Sequence, residues 1–524
     1  MQKTINLMND MCRVLISMER SGIKIDINAL QKLEEEYTNE LNTLTTTLEI
    51  AAKNTLGDTP FKLTSNNALS ALIFSRKPYK RDQWADMFNL GTEFVNGVRK
   101  PKQLKYFPTD ILQQKIKRFS GITYKTIARQ CVTCKGTGKV SKRKKNGTLS
   151  KPHYNCDICD AKGIDYKIDM SNIAGFQLKA TKVEHLAMHG FSCDKTRLEE
   201  LMKTANDEAK TFLSNMVRFK AISHYLNSFI KGIKENVRRD GILHTEFMQC
   251  VTATGRLSSR SPNFHNQPRG GTFPIRKVVI SRWEKGSITE ADYSQLEFRV
   301  AAALSKDKVA IKDIIDGVDV HTRTANTLTA HGQVTSRQDA KTHTFKPLYG
   351  GTSGTKAEQA YYKSFLKTYK GIAKWHKKLL QKAAAHKSVW LPSERRYRFP
   401  WAKINPYGGV SGGTKIKNYP VQGFATADIV PLATIALHSM LIQSKLKSCI
   451  INEVHDSIVI DTYHGEGDKV VSLMSKAMLG VIDTLQNDFN YNFIVPLEIE
   501  IKRGKNWLDM KVIHSESTDA QIPH

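Results

Sequence analysis

The sequence predicts an α+β protein built from more than one subdomain, and three observations carry that expectation. Leucines spaced among charged residues at 27–55, and the same periodicity at 180–236, predict amphipathic helices. "VVI" (278–280), "SITEADY" (287–293) and "INEVHDSIVID" (451–461) are rich in β-branched apolar residues, as strands are. A Gly- and Pro-punctuated stretch at 252–274 separates the two kinds of segment. At 524 residues the chain is long enough to bury a substantial core.

The composition is ordinary except in charge. Apolar residues make up 40% and charged residues 25%, but 79 Lys and Arg stand against 50 Asp and Glu, a net charge of +29. Such a balance predicts a polyanionic partner, nucleic acid first, because phosphate neutralisation dominates that kind of binding. Charge alone does not separate DNA from RNA or from an anionic membrane. No run of about 18 apolar residues is evident, so no membrane span is expected. The start, "MQKTINLMNDMCRVLISMERSG", lacks a signal-peptide block and carries acids that transit peptides avoid, which predicts a cytoplasmic protein. Cys12, Cys193, Cys250 and Cys449 are scattered and are expected to be buried thiols in a reducing compartment. No repeat of solenoid length occurs.

Taken in order, 27–55 reads as helix, and the composition then shifts over 75–170. "CVTC" (131–134) and "CDIC" (156–159) form two C-x-x-C knuckles with 21 residues between them. Four thiolates from Cys131, Cys134, Cys156 and Cys159 suit tetrahedral Zn²⁺; His153 in place of one Cys, or two chance thiol pairs, are the alternatives. Each knuckle is followed by Gly, in "KGTG" and "DAKG", which allows a tight turn that aims N–H groups at sulfur. A lobe of about 120–165 is too small to fold on its core alone, so bound metal is expected to supply folding energy. Its loop "SKRKKNGTLSK" carries Lys142, Arg143, Lys144 and Lys145, suited to phosphates, with a docked protein as the alternative. Helical periodicity returns in "KVEHLAMHGF" and "RLEELMKTANDEAKTFLSNMVRF". After the strand at 287–293, a helix from about Ser294 places Leu296, Val300 and Leu304 on one face, and 321–386 reads as mainly helical.

Two acids stand out. Asp292 falls at a strand-to-helix junction, where a lone Asp would read as a cap. Asp456 falls with His455 in the middle of an apolar strand, where a carboxylate is costly unless something positive meets it. Together they suit hard cations such as Mg²⁺, and two metals about 4 Å apart serve phosphoryl chemistry. Arg337, Lys341, Phe345 and Tyr349 recur every four positions and so share one helical stripe. Two cations leading to two aromatics suit a triphosphate, a sugar and a base; a solvated basic helix with two core aromatics is the competing reading. Ser294 and Glu297 make the S-x-x-E pattern of a capping box.

These segments resemble the motifs of family A DNA polymerases. "DYSQLEFR" (292–299) resembles the first palm motif, "RQDAKTHTFKPLYG" (337–350) the fingers helix, and "VHDSIV" (454–459) the third motif. "TATGRLSSRSPNFHNQP" (252–268) resembles the segment that grips the primer–template minor groove. "DVHTRTA" (319–325), "YPVQGFATAD" (419–428) and "VPLEIEIKRGKNW" (495–507) match further stretches in the same order. The resemblance covers about 180–507 well, and 1–80 weakly through "SGIKID" and "FKLTSNNALSALIF".

The resemblance implies a right-hand polymerase fold: N-terminal segment and thumb at 1–240, palm at 241–320 and 425–524, and helical fingers at 321–424. It implies a DNA polymerase that adds deoxynucleotides to a primer 3′-hydroxyl with two Mg²⁺ ions on Asp292, Asp456 and the Tyr293 carbonyl. Gln295, Glu297, His321, Arg337, Lys341, Phe345 and Tyr349 then bind the dNTP, with Glu297 gating the sugar. Arg256, Asn263, Asn266, Arg396, Asn418, Gln422 and His455 then line the DNA. The chain departs from the family at Ser457, which replaces a Glu and is expected to hold a water, and at Lys346 and Pro347, which predict a kink between His343 and Pro347. "QGFATAD" is one residue longer than the bacterial pattern. The family pattern begins near residue 18, which predicts a phage-type monomer without 3′–5′ exonuclease, working in a host cytoplasm with primer–template DNA, dNTPs and a separate exonuclease, helicase or processivity factor. A single-subunit RNA polymerase is the first rival, opposed by Glu297 and "TGRLSS". A non-catalytic zinc-bearing nucleic-acid binder is the second, opposed by Asp292 together with Asp456.

Overall fold

The computed structural model describes residues 2–95, 98–143, 147–406 and 408–519. The chain divides into two compact units, Met1–Leu33 with Ser228–His524, and Glu34–Asn227. The first 33 residues thus belong with the C-terminal part, where the sequence reading had grouped everything up to 240. The helix Gln2–Ser21 explains this, because it buries Leu7, Met11, Val14, Leu15 and Met18, and four of these sit in the same core as the sheet described next.

The first unit is organised by a five-stranded antiparallel sheet. Its strands are β1 (Ser287–Tyr293), β2 (Cys449–Val454), β3 (Ser457–Thr462), β4 (Glu498–Gly504) and β5 (Met510–Ser517), in the spatial order β2-β3-β1-β4-β5. Register decides what each face carries. Asp292 lies opposite Ser457 on one side and Glu500 on the other, and Glu290 opposite Val459 and Lys502. Side chains alternate across a strand. One face therefore presents Ala291, Tyr293, Ile458, Ile460, Ile499 and Ile501 to the core, and the other presents Glu290, Asp292, Ser457, Glu500 and Lys502.

A long helical segment, Gly413–Gln443, crosses this core. Among the described residues it is the one helix long and apolar enough to span a bilayer by length and composition, and 61% of its most apolar window is buried inside the protein. It is interrupted at Phe424–Ile429 by a π turn. That turn falls in "QGFATAD", and an i→i+5 ring holds one residue more than an α turn. Asp428, fully buried in the turn, is fixed by Ser393 Oγ at 2.5 Å and Arg395 Nε at 2.9 Å.

The second unit packs helices around a core that includes Trp84 and Phe88, both fully buried. "KVEHLAMHGF" is not helical: it forms a 3₁₀ turn, Val183–His185, and a tight ribbon pairing Leu186–Ala187 with Gly190–Phe191. His185 is drawn inside by its 2.9 Å hydrogen bond to Glu200, and the ribbon returns through Gly190 at φ +150°. From this unit runs an antiparallel ribbon, Tyr124–Gln130 with Ile164–Ile173, so the cysteine lobe extends past the expected limit of 165. Of the scattered thiols only Cys193 is buried; Cys12 and Cys250 are exposed and Cys449 is half-buried.

Candidate active site

Asp292 is the penultimate residue of β1, four positions before the start of the helix Leu296–Ser305, at the predicted strand-to-helix junction. Asp456 is not inside a strand. His455 and Asp456 form a two-residue turn closed by the pairing of Val454 with Ser457, and His455 takes φ +61° to make it. The apolar run on both sides conceals the turn, because His-Asp lacks the Asn-Gly signal of such hairpins. The turn rests against β1, where the Tyr293 N–H donates to the Asp456 carbonyl at 3.2 Å. The carboxyl groups of Asp292 and Asp456 lie close enough to interact electrostatically. Burial, with Asp456 and Glu290 beside it, holds the Asp292 carboxyl far above the usual carboxylate range; burial also raises Asp456. Arg269 opposes both shifts, and Lys502 opposes that of Asp292. Close carboxyls that burial and mutual repulsion push toward neutrality form an oxygen-rich set that fits a hard divalent cation.

The sequence reading missed three residues here. Glu290 is 8% exposed and accepts a 2.8 Å hydrogen bond from Ser457 Oγ, so that hydroxyl is engaged with protein rather than with the expected water. Its signal is the i, i+2 spacing to Asp292, which puts both on one face. Arg276 is buried with its guanidinium 3.9 Å from the Trp507 ring and 4.0 Å from Glu290. Arg269 lies one residue past the motif that ended the reading at Pro268.

Glu297 does not cap its helix. The N-cap is Gln295, at φ +50° with no side-chain cap bond, so the capping box of Ser294 and Glu297 does not form. The left-handed Gln295 turns the chain away from the extended geometry that a capping serine needs. Glu297 instead ion-pairs with Arg256, and burial pushes its carboxyl up to about 7 against that pull. Arg256 also donates from Nε to Thr426 Oγ1 at 3.2 Å, which ties this pair to the π turn.

The fingers stripe is shorter than predicted. The helix Arg337–Thr344 ends at its cap Phe345, and 346–350 are turns. Pro347 supplies no N–H to continue the helix, so the expected kink is a helix end. Tyr349 is carried beyond the helix, where its N–H donates to the Phe345 carbonyl at 3.3 Å. Arg337 Nε donates to Asp319 at 2.6 Å. Burial raises Asp319, but Arg337 and Thr322 hold it well below the carboxylate range. His321 meets Thr344 Oγ1 at 3.0 Å and packs edge-on to Phe345, with ring centroids 5.3 Å apart. Lys341 lies on the same helix, and its side chain is outside the described residues.

Among the remaining positions, Asn263 Oδ1 accepts N–H bonds from His265 and Asn266 at 3.0 and 3.2 Å, so it shapes its own turn. Asn266 and His455 are exposed. Asn418 and Gln422 stand four apart on one helix face, and Asn418 Oδ1 is buried without a partner in the described residues. Arg396 is exposed over the Trp390 ring at 5.3 Å.

The four cysteines converge as the spacing predicts. Their sulfurs lie within 4.8 Å of one another and all four residues are buried. Gly138 and Gly163 donate N–H to Cys134 and Cys159 Sγ, each at 3.3 Å. Both glycines need positive φ, +70° and +76°. Four sulfurs in this arrangement fit a tetrahedral Zn²⁺. Lys142 sits over the Tyr154 ring at 4.9 Å; Lys144 and Lys145 lie outside the described residues.

Comparison with known proteins agrees with this geometry. The family described as DNA polymerase family A matches residues 167–509, a span that holds both acids and begins beyond the four cysteines. DNA polymerase I of Streptococcus pneumoniae is 29% identical over 345 residues, covering 62% of this chain and 37% of that protein. The thermostable DNA polymerase I of Thermus aquaticus is 28% identical over 326 residues, covering 58% of this chain and 37% of that one. The chain thus spans little more than a third of these relatives' length. The fold resembles the POL domain of Pol1 from M. smegmatis, solved in complex with DNA primer-template and dNTP, with a TM-score of 0.63 at 20% identity over 96% of this chain and 70% of that one. Matched over more than half its length by a family whose span holds the acid pair, this chain belongs to DNA polymerase family A.

Proposed function

We propose that this chain is a DNA-directed DNA polymerase, extending a primer 3′ end with deoxynucleotides chosen by a template. The observation that carries this reading is the meeting of Asp292 and Asp456 where the β2–β3 turn rests on β1. In the reaction the primer 3′-oxygen bonds to the α-phosphorus and the bond to pyrophosphate breaks. Two Mg²⁺ ions held by Asp292, Asp456 and the Tyr293 carbonyl would supply Lewis-acid stabilisation of the charge that develops. The protein's own part is positioning. Arg337, Lys341 and His321 face the triphosphate, Phe345 and Glu297 the sugar, and Tyr349 and Gln295 the nascent pair. Arg256, Asn266, Arg396, Asn418, Gln422 and His455 follow the DNA. Dissolving the Arg256–Glu297 pair would free Arg256 for the minor groove and Glu297 for the sugar. The four cysteines hold a structural Zn²⁺, and their lobe holds duplex phosphates through its basic loop. These 524 residues extend primers without shortening them, in the manner of a phage-type enzyme.

The test is primer extension by the purified chain and by its Asp292→Asn and Asp456→Asn variants. Each variant should lose at least about 100-fold in rate, since a lost metal site removes several kcal/mol of transition-state stabilisation. Both should keep primer–template affinity within a few-fold, because phosphate contacts elsewhere supply it. Near-normal extension by either variant removes the reading.

A further inference from the structure

Glu290 is a buried acid that the reading above does not use. It points to the face that carries Asp292, and its only neighbouring cation within 4.0 Å among the described residues is Arg276. A buried carboxylate beside two others is costly unless it serves something. Ser457 shows what it serves. That residue is fully buried and lies directly opposite Asp292 in register. Its hydroxyl turns instead along the face to Glu290 Oε1, 2.8 Å away. Arg276, its guanidinium over the Trp507 ring, comes within 4.0 Å of Glu290.

We propose that Glu290 is a positioning residue for the Asp292–Asp456 pair. It takes up the Ser457 hydroxyl so that the lone pairs of Asp292 stay open to a cation, and it adds a third negative charge to the face that the cation meets. This rests on the metal-site reading of Asp292 and Asp456. The carboxylate does not join the reacting atoms; it acts through Ser457 and through its charge.

The experiment measures Mn²⁺ binding by electron paramagnetic resonance to the full chain on a primer–template, without nucleotide. Glu290→Gln keeps the size and an acceptor for Ser457 but removes the charge, and it should weaken Mn²⁺ binding by about tenfold or more. Ser457→Ala removes the hydroxyl that Glu290 takes up and leaves the charge of Glu290 in place, so it should bind Mn²⁺ within a few-fold of wild type while the fold is kept. The exchange Glu290→Ser with Ser457→Glu returns one carboxylate and one hydroxyl to the same face from opposite strands, and it should recover binding to within a few-fold of wild type. Wild-type Mn²⁺ affinity in Glu290→Gln, whatever its melting temperature, overturns the proposal and leaves Glu290 a partner of Arg276 only. If Asp292→Asn also binds Mn²⁺ as wild type does, the underlying metal-site reading has failed, not only the role of Glu290.

Discussion

Replacing Gly138 by alanine should cost the cysteine lobe most of its metal. Gly138 stands at φ +70°, where a β-carbon would lie 2.2 Å from the Ala161 carbonyl oxygen. The left-handed conformation alone costs an alanine about 1–2 kcal/mol. The clash is with backbone and cannot be relieved by a rotamer, so the turn must open. Opening it strains two hydrogen bonds, the Gly138 N–H to Cys134 Sγ at 3.3 Å and the Cys156 N–H to the Gly138 carbonyl at 2.9 Å. At about 1 kcal/mol each the total comes to about 3–4 kcal/mol. Because such a lobe folds with its metal, the loss should appear in metal affinity, as a weakening of about 100- to 1000-fold. Gly163→Ala should match it, since a β-carbon there would lie 2.3 Å from the Gly136 carbonyl oxygen. Gly147→Ala is the control: φ is +83° but nothing lies within 4 Å. Competition for Zn²⁺ against a chromophoric chelator gives the apparent Kd. Wild-type affinity in both Gly138→Ala and Gly163→Ala, or wild-type protein purified without chelator and free of zinc, would refute the reasoning.

Three further outcomes are expected. Glu297→Ala should raise ribonucleotide use relative to deoxyribonucleotide use and lower stability by about 1.5–3 kcal/mol, because Arg256 loses its charged acceptor; lower stability with an unchanged nucleotide ratio would leave Glu297 a structural partner only. Cys156→Ser should leave single-nucleotide incorporation near normal and shorten the product made per binding event; unchanged product length on bare DNA would make the lobe a docking site for another protein. His376 is 3% exposed, and burial, with Lys417 adding to it, pushes its imidazole down to about 3. From about pH 6.5 downward the unfolded chain takes up a proton that the folded chain does not, so stability is lost as pH falls. Between pH 7 and pH 5 that loss is about 2 kcal/mol, and urea midpoints should show His376→Phe spared it; equal losses in both proteins would contradict the assignment.

Much of the site was legible because its motifs are local. The strand-to-helix junction at Asp292 and the Gly turns after each knuckle follow from short stretches, and the structure contains them as read. What was hidden depended on partners distant in sequence. Glu290 acquires meaning only when Ser457 is laid beside it, 167 positions away. The S-x-x-E pattern of Ser294 and Glu297 was present, but a left-handed Gln295 and the distant Arg256 decided where the carboxylate went. The stripe from Arg337 to Tyr349 assumed a helix that Pro347 does not allow to continue. Apolar residues flanking His455 and Asp456 read as one strand because composition does not register a reversal of direction.

A two-residue turn has no slack. One residue added between Val454 and Ser457 would slip β3 by one against β2 or bulge the loop. A slip would exchange the faces of Ser457 and Ile458; a bulge would pull Asp456 from the Tyr293 N–H that it accepts at 3.2 Å. The helix Gly413–Gln443, by contrast, accommodates a π turn at Phe424–Ile429 and continues to Gln443. Tolerance to insertion is therefore graded across this molecule. Libraries that vary chain length have room at the π turn, and none at the tip of the β2–β3 hairpin, which carries Asp456.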